Sequence, residues 1–464
     1  MSHAPCLECR LTRAARLGPQ RPAIITPEGQ QTFDELDRAV TARAAALQAQ
    51  GLGPGAWTAL RIAITPTGVI DWLAILRTGA RALPISERLP ETSLEALLSE
   101  HAIPALLPGP GEALQHTGHG IEPATAPTLQ RRFDPTTPCS GIATSGSSGA
   151  PQVMVHSYAN HVRSAQGAIA YLPLAPGDRY LLSLPLFHVG GLGIIFRCLE
   201  ATAPIVLGGR AEDTAFLNAY RVTHVSMVET QLRRLLREAS APLPALRCVL
   251  LGGGPVAPDL LEAAEARGLP CYMSYGLTEM TAQVATWPAL RGGGRVLPYR
   301  ELAIDEAQEI CVRGDTLCLG RLDSGSIQPL TDDEGWYRTR DLGRWCEGRL
   351  EILGRRDNQF ISGGENIQPE AVEGTLRTHP AISDAVVVPR RDPEFGQRPV
   401  AFLQAGDSLP TAAALRDWLR QHLPPPMVPV AYYPLPAGDG LKVRRRELAA
   451  EAERLREAPP PPGA

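Results

Sequence analysis

Short apolar segments alternate with amphipathic segments through much of this 464-residue chain. Residues 32–50 show apolar positions at helical spacing, with Thr32 as a plausible N-cap and Gly51 as the stop. Strands are predicted at 57–64, 139–144, 180–189, 222–228, 247–251 and 270–274, and further helices at 68–79, 229–239 and 258–267. This alternation predicts an α/β fold with a largely parallel sheet.

Length and composition restrict the class of protein. A chain of this length is expected to form roughly two to four domains. Hydrophobic residues make up 44% and charged residues 20%, which is typical of globular proteins, and a net charge of -4 gives no overall attraction to nucleic acid or anionic membrane. We therefore expect small-molecule partners, with homo-oligomerisation left open.

The sequence predicts neither a signal peptide nor a membrane span. Met1 to Arg16 lacks the apolar centre of a signal peptide, and no apolar run approaches the ~18 residues of a membrane span. A cytoplasmic location is expected. The nine cysteines are odd in number and scattered, so no disulfide framework is predicted. Cys6 and Cys9 could form half of a zinc site, but no second pair follows at finger spacing, and no metal is expected there.

A loop rich in serine and glycine follows the strand predicted at 139–144. Two glycines allow backbone N–H groups to approach and surround an anion, and neighbouring hydroxyl groups add donors. The loop residues concerned are Thr144, Ser145, Gly146, Ser147, Ser148 and Gly149. Their pattern matches neither the P-loop nor the dinucleotide fingerprint, and an ordinary turn or linker is the alternative interpretation.

Two further segments follow strands predicted to be parallel. The turn Gly252, Gly253, Gly254 and Pro255 lies after one strand, and Tyr275-Gly276-Leu277-Thr278-Glu279 ends the next. Open α/β sheets bind ligands beyond the carboxyl ends of their strands. His188, predicted at a strand end beside glycines, could line the same pocket or be an ordinary core histidine.

Lys442 is the only lysine in the chain, since the other Lys/Arg positions are all arginine. Lysine supplies a compact, rotatable ammonium group that the planar guanidinium of arginine does not reproduce. Chance survival in an arginine-biased composition is the alternative explanation.

Together these motifs resemble the adenylate-forming superfamily, which includes acyl-CoA and aryl-CoA ligases, luciferases and nonribosomal adenylation domains. The matching segments are 144–151 (phosphate loop), 252–255 (adenine-contacting turn), 275–279 (YGxTE motif), 334–341 (WxxTxD segment), 353–357 (hinge) and 440–444 (catalytic-lysine motif). Six motifs in the expected order over most of the chain make the resemblance specific.

The resemblance implies a domain organisation. A large multi-sheet N-terminal domain would span 1–356, and a small mobile α+β domain would span 357–464, swinging about Asp357. Within the small domain, helices are predicted at 369–377 and 411–422 and a strand at 382–388, with disorder from about residue 451 beyond a short helix.

The resemblance also implies roles for the motif residues, with ATP, Mg²⁺ and coenzyme A as ligands. Glu279 would hold Mg²⁺ and Thr278 would contact phosphate. Asp341 would accept hydrogen bonds from the ribose, with Arg355 nearby, and Lys442 would bridge the reacting carboxylate and the α-phosphate. Gly363 and Gly364 would lie beside the pantetheine arm after the small domain has rotated.

Three segments are most similar to the o-succinylbenzoate:CoA ligase subfamily of menaquinone synthesis. They are 181–189, 362–370 and 392–400, and His188, Ser226, Gln231 and Met273 are pocket candidates by position. The sequence departs from the superfamily pattern where Gln152 replaces a lysine, Arg340 a glycine and Ser148 a common threonine. Another aryl- or acyl-CoA ligase and a non-catalytic nucleotide-binding homologue remain alternatives.

Overall fold

The structure is a computed structural model that describes residues 5–117, 128–145, 151–172, 174–238, 242–290, 294–406, 409–436 and 445–457. The sequence predicts an α/β protein, and the structure confirms this with several sheets and helices packed against them. Within the described part, no helix has the length and apolarity needed to cross a membrane.

The α-helices are α1 (Arg10–Leu17), α2 (Phe33–Ala49), α3 (Pro66–Thr78), α4 (Glu91–Glu100), α5 (Tyr158–Tyr171), α6 (Val189–Ala201), α7 (Thr214–Ala219), α8 (Glu229–Glu238), α9 (Pro258–Ala266), α10 (Pro369–Arg377), α11 (Ala412–Arg420) and α12 (Arg445–Glu457). Short 3₁₀ turns lie at Thr278–Met280, Arg356–Asn358 and Pro425–Met427.

The strands are β1 (Leu7–Glu8), β2 (Pro22–Thr26), β3 (Gly29–Thr32), β4 (Trp57–Ile62), β5 (Arg81–Ser86), β6 (Ala105–Leu107), β7 (Gln115–His116), β8 (Arg132–Phe133), β9 (Pro138–Ser145), β10 (Pro151–Ser157), β11 (Tyr180–Leu181), β12 (Ile205–Val206), β13 (His224–Met227), β14 (Cys248–Leu251), β15 (Cys271–Leu277), β16 (Ala282–Pro288), β17 (Arg295–Val296), β18 (Glu301–Ile304), β19 (Glu309–Arg313), β20 (Gly320–Asp323), β21 (Ser326–Gln328), β22 (Tyr337–Cys346), β23 (Arg349–Arg355), β24 (Phe360–Ser362), β25 (Glu365–Ile367), β26 (Ile382–Asp392), β27 (Gly396–Ala405) and β28 (Tyr432–Pro434).

Two large sheets carry most of the N-terminal part. The nine-stranded sheet has the order β17-β16-β15-β14-β13-β11-β12-β2-β3, and its centre from β15 to β2 is parallel. The eight-stranded sheet has the order β21-β20-β10-β9-β5-β4-β6-β7, with a parallel centre from β9 to β6. Antiparallel strands form the edges of both, so the expected parallel pairing is confirmed for the centres only.

The predicted helices have clear local causes. Helix α2 begins at Thr32, where the threonine and Glu35 form a reciprocal capping box, and its buried stripe includes Leu36 and Val40. Helix α3 begins after Thr65, whose hydroxyl accepts from a backbone N–H, and ends at Gly79 in the left-handed conformation.

The structure corrects the strand predicted at 180–189. Strand β11 is only two residues long, because its pairing with β12 and β13 ends at Leu181, and an irregular segment containing Pro185 then leads to His188 at the N-cap position of α6. The connection from β6 to β9 contains β7 and β8, and β8 pairs antiparallel with β1. Its residues 118–127 lie outside the described part.

The chain divides into two compact units. The first comprises 1–255, 263–303 and 311–337, and the second comprises 256–262, 304–310 and 338–464. The predicted boundary between Arg356 and Asp357 falls inside the second unit and stays a prediction about motion. In the first unit, one apolar cluster joins α2, α3, α5 and α6 to strands of both large sheets.

The second unit has its own core. Strands β26, β27 and β28 form a three-stranded sheet, with α10 and α11 contributing to one apolar cluster and α12 to another. Helix α12 continues to Glu457, and Leu448 and Ala452 are buried. Residues 451–457 are therefore helical, because the apolar side of this helix packs on the second unit's core. The disorder predicted beyond the short helix concerns residues outside the described part.

Candidate active site

The Gly252–Pro255 turn lies at the carboxyl edge of the parallel sheet in the first unit. Strands β13, β14 and β15 are neighbours in register, with Met227 opposite Leu251 and Leu251 opposite Met273. Gly253 has φ +86°, a left-handed conformation that favours glycine, and Gly252, Gly253, Gly254 and Pro255 are all exposed or half-buried. The turn therefore presents backbone to a ligand directly beyond the strands.

Beside this turn, β15 carries the predicted motif from Tyr275 to Glu279. Tyr275 is buried, whereas Gly276 is exposed at a β-bulge, where an added Cβ would lie 2.0 Å from the Ala282 carbonyl oxygen. No side chain larger than hydrogen fits there. The strand then passes into the 3₁₀ turn at Thr278–Met280, which leaves Thr278 and Glu279 half-buried.

Glu279 offers a carboxylate that could hold a hard cation. Its Oε1 accepts a hydrogen bond of 3.1 Å from the Tyr337 hydroxyl, which orients the carboxylate and leaves acceptor capacity on both oxygens. Among the residues that the structure describes, no group of three or more His, Cys, Asp or Glu side chains forms a metal cage. Mg²⁺ is commonly held by one or two carboxylates together with phosphate oxygens, so a lone glutamate fits it.

The predicted phosphate loop joins two paired strands. Ser145 lies opposite Pro151, and Thr144 lies opposite Gln152, so β9 and β10 fix both ends of the loop. The Thr144 hydroxyl donates to the Gln152 carbonyl oxygen at 3.2 Å. Gly146, Ser147, Ser148 and Gly149 lie outside the described residues, as does the side chain of Ser145.

Three of the four pocket candidates occupy the same sheet edge. Ser226 lies on β13 and Met273 on β15, and the Gln231 side-chain oxygen accepts from the Val228 N–H at 3.1 Å, directly after β13. His188 lies exposed at the N-terminus of α6, with its ring 4.7 Å from that of Phe187. His188 therefore lies at the start of α6 and Gln231 in the first turn of α8, whereas Ser226 and Met273 lie on strands of this edge.

Arg197 on α6 was not identified from the sequence. It is 5% exposed and donates to the Tyr180 hydroxyl at 2.9 Å, and that hydroxyl lies 2.9 Å from Ser226 Oγ. Within the described part of the chain, no carboxylate forms an ion pair with Arg197, although an isolated buried charge is costly. An arginine within the apolar helix VGGLGIIFRCLEA was the available sequence signal.

In the second unit, Asp341 and Arg355 form a cross-strand pair. They lie opposite each other on β22 and β23, and Arg355 Nη1 donates to Asp341 Oδ1 at 3.1 Å. Arg355 also approaches Asp357, the predicted hinge residue, at 3.6 Å, and Arg340 approaches Asp357 at 3.4 Å. These side chains form a group of alternating charge around the predicted hinge, in which Asp341 is buried and the other three are partly exposed.

Gly363 and Gly364 form the two-residue turn of the β24–β25 hairpin. Both have left-handed φ angles, +58° and +86°, which is the pattern of a type I′ hairpin turn. A Cβ on Gly363 would lie 2.8 Å from the Phe395 ring. Gly363 therefore packs closely against Phe395, whereas a Cβ on Gly364 would meet nothing within 4 Å. Lys442 lies outside the described residues.

Cys6 and Cys9, for which the sequence predicts no metal site, lie in different environments. Cys6 is exposed and Cys9 is buried, where its sulfur accepts from Arg77 Nη2 at 3.4 Å. Through this contact, Cys9 takes part in the packing of α1 against α3.

Comparison with known proteins identifies relatives along most of the chain. The sequence pattern of the AMP-binding enzyme family matches residues 11–321, and that of the AMP-binding enzyme C-terminal domain matches residues 371–437. The 2-succinylbenzoate–CoA ligase of Escherichia coli K12 is 38% identical over 435 residues, covering 92% of this chain and 94% of that relative.

Two solved structures of o-succinylbenzoate coenzyme A synthetase from Bacillus subtilis are similar along almost the whole chain. One is a complex with the acyl-adenylate OSB-AMP, at TM-score 0.86 and 27% identity, covering 96% of this chain and 98% of that one. The other is a complex with ATP and magnesium ion, at TM-score 0.84 and 27% identity, covering 96% and 100%. The chain belongs to the family of AMP-binding enzymes that contains the 2-succinylbenzoate–CoA ligases.

Proposed function

We propose that this protein activates o-succinylbenzoate with ATP and transfers the acyl group to coenzyme A, releasing AMP and pyrophosphate. The observation that carries the substrate assignment is the 38% identity to the E. coli 2-succinylbenzoate–CoA ligase along 92% of the chain. The ATP and magnesium of the B. subtilis complex support the same ligands here.

The first half-reaction forms an acyl-adenylate. A carboxylate oxygen attacks the α-phosphorus of ATP, and the bond to pyrophosphate breaks. Bound Mg²⁺ would neutralise charge on the phosphates. We assign Glu279 to hold this ion, Thr278 to donate to phosphate, and the N–H groups of the Thr144–Gly149 loop to surround the departing pyrophosphate.

The nucleoside would be held by backbone and by acidic and basic side chains. We assign Gly252–Pro255 to the adenine, because an exposed turn after a parallel strand presents unshielded backbone donors and acceptors. Tyr275 and Gly276 form the adjoining wall. Asp341 accepts from the ribose hydroxyls, and its partner Arg355 orients the carboxylate.

The buried position of Arg197 supports the assignment of a substrate with two carboxylates. o-Succinylbenzoate keeps one free carboxylate after the other has been activated. The buried guanidinium beside Tyr180 and Ser226 would pair with that second carboxylate, which also compensates the cost of burying Arg197. Gln231, Met273 and His188 would line the remainder of the pocket.

The second half-reaction transfers the acyl group to sulfur. The thiol sulfur of coenzyme A attacks the acyl carbon, the thiol proton is lost and AMP leaves. We propose that the small domain turns about Asp357 between the two steps, withdrawing Lys442 and bringing Gly363 and Gly364 beside the pantetheine arm. A Cβ on Gly364 would meet nothing within 4 Å, so this glycine leaves room for the slim arm.

We infer a cytoplasmic location for the enzyme. All nine cysteines are free, including the exposed Cys6 and Cys346, which agrees with a reducing compartment.

The deciding experiment measures CoA-dependent AMP release with o-succinylbenzoate beside substituted benzoates and fatty acids. We expect the highest kcat/KM with o-succinylbenzoate, and an Arg197→Met variant should lose that preference. Preference for a monocarboxylate would identify another aryl- or acyl-CoA ligase. Absence of ATP–pyrophosphate exchange with every acid would identify a non-catalytic nucleotide-binding homologue.

A further inference from the structure

The turn that carries Thr278 and Glu279 is held by its backbone carbonyl oxygens. The Thr278 oxygen accepts from His156 Nε2 at 2.8 Å, and the Glu279 oxygen accepts from the Cys318 N–H at 2.7 Å. The Thr281 oxygen accepts from the Ser164 hydroxyl at 2.5 Å. Three separate segments thus fix three of four consecutive carbonyl groups.

The chain is strained where this turn meets β16. Thr281 has φ +52° and Ala282 has φ +94°, so two successive residues with side chains adopt left-handed φ angles. Such residues cost of order 1–3 kcal/mol each and persist only when their surroundings impose them. The Thr281 hydroxyl donates to the Thr316 carbonyl at 2.8 Å, and Ser164 supplies the bond on the opposite side of the same residue. We call residues 281–282 the corner.

Ser164 is oriented by a buried arginine. Arg300 is 6% exposed, and its Nη2 donates to Ser164 Oγ at 3.0 Å and to the Ser164 carbonyl at 3.3 Å. Because the serine oxygen accepts from Arg300, its only proton is left to donate to the Thr281 oxygen. Among the described residues, Arg300 forms no ion pair with a carboxylate.

Helix α5 makes room for this arginine. Gly167 lies one turn after Ser164, and a Cβ there would be 2.3 Å from Arg300 Nη1. Burial lowers the pKa of Arg300 to about 9, with the charge of Arg197 adding to the effect. Although burying this cation is costly, the Arg300 guanidinium donates only to the Ser164 hydroxyl group and to the backbone carbonyl oxygens of Ser164 and Pro298 among the described residues.

We propose that Ser164, oriented by Arg300, is a positioning residue that imposes the left-handed corner and thereby aims Thr278 and Glu279 at the phosphates of ATP. The inference rests on the proposed function, because only an enzyme that reacts with ATP requires Thr278 and Glu279 to be directed at its phosphates. Neither residue touches substrate; both act through the backbone at Thr281.

The test compares Ser164→Ala with Thr78→Val. Thr78 is a matched control, because its buried hydroxyl also donates to one carbonyl, that of Ile75 within α3. Each variant loses one hydrogen bond that the buried hydroxyl donates and one that it accepts, from Arg300 at Ser164 and from the Ala80 N–H at Thr78. One such bond is worth about tenfold in an equilibrium or rate when it acts on the reacting state. Both half-reactions are measured separately, together with hydrogen–deuterium exchange of residues 276–282 in the absence of ligands.

We expect Ser164→Ala to lower the rate of adenylate formation about tenfold while thioester formation from supplied acyl-adenylate changes less than about twofold. Exchange at the corner should increase in this variant and stay unchanged in Thr78→Val. The ratio of the two half-reaction rates does not depend on the folded fraction, so a purely structural defect would not move it. Equal loss in both half-reactions, or unchanged exchange at the corner, would overturn the proposal.

A failure of the proposed function is distinguishable from a failure of this inference. If the wild-type protein forms no adenylate with any acid, the proposed function is wrong, and the exchange comparison still tests whether Ser164 holds the corner.

Discussion

The two groups of candidate residues are held by different kinds of interaction. In the first unit, the Thr278–Thr281 turn is fixed by buried hydrogen bonds from His156, Ser164 and Cys318 to backbone carbonyls. In the second unit, Arg355 pairs with the buried Asp341 at 3.1 Å and with Asp357 at 3.6 Å, and the Arg355 and Asp357 side chains are partly exposed. Buried bonds to backbone fix one geometry, whereas exposed ion pairs exchange partners at little cost.

This difference matches the two tasks of the proposed enzyme. Phosphate and metal ligands act best when preorganised, because no reorganisation is then needed at the moment of reaction. A domain that rotates between half-reactions needs contacts that break and re-form. The predictions below test the contrast between a rigid turn and a rearranging ion-pair group, beginning with the largest effect.

Lys442→Ala should separate the two half-reactions most strongly. Removing one preorganised cationic donor should lower adenylate formation by about 10²–10³-fold, whereas thioester formation from supplied acyl-adenylate should be spared. ATP–pyrophosphate exchange measures the first step and CoA consumption the second. Lys442→Arg is the control for charge and should fail as well, because its wider guanidinium does not replace a compact ammonium. Equal loss of both steps would refute the assignment of Lys442 to the first.

Gly276→Ala should damage the rigid turn directly. Its Cβ would lie 2.0 Å from the backbone oxygen of Ala282, which cannot move without opening the corner. We expect a loss of about 3 kcal/mol in the free energy of unfolding, measured by urea denaturation. Gly374→Ala on α10 is the control: a Cβ added there would meet nothing within 4 Å, and alanine favours helix. Similar stability of the two variants would show that the turn is more adaptable than its contacts indicate.

Lowering the pH should reduce the stability of the first unit through protonation of His156. Burial lowers the pKa of His156 from 6.5 to about 4, so the folded state favours the neutral ring. The resulting stability is complete above the unfolded pKa of 6.5 and is lost as pH falls toward about 4. We expect the thermal midpoint of the wild type to fall more steeply over this range than that of His156→Gln. Parallel pH profiles of the two proteins would contradict the prediction.

Arg340 should have the smallest effect, since its ion pair with Asp357 spans 3.4 Å between partly exposed groups. Arg340→Ala should change the free energy of unfolding by less than about 1 kcal/mol, and added salt should reduce the difference. Arg340 has φ +61°, so Arg340→Gly, which loses the same ion pair, should be more stable than the alanine variant by about 1 kcal/mol. Equal stability of the glycine and alanine variants would show that the left-handed backbone costs nothing here.

Much of the secondary structure could be predicted because its causes are local. The capping box of Thr32 and Glu35, the terminal Gly79 and the apolar spacing of α2 and α3 are all properties of short segments. The strand predicted at 180–189 was wrong beyond Leu181, because apolar composition does not distinguish a paired strand from an irregular buried segment. The packing of helix α12 could not be predicted, because it depends on β26 and β27, which are distant in the chain.

In the candidate site too, some features follow from the sequence and others only from the tertiary structure. Sequence alone determined the ordered motifs, the two glycine-rich turns, Glu279, Asp341 and the single lysine, because each motif is contiguous and its chemistry follows from residue type. Tertiary structure decided that Arg197 is buried beside Tyr180 and Ser226, and that Ser164 and Arg300 hold the corner at Thr281. These residues are 17 to 136 positions apart in the chain, and only the packing of α5 and α6 against the sheet brings their polar atoms within hydrogen-bonding distance.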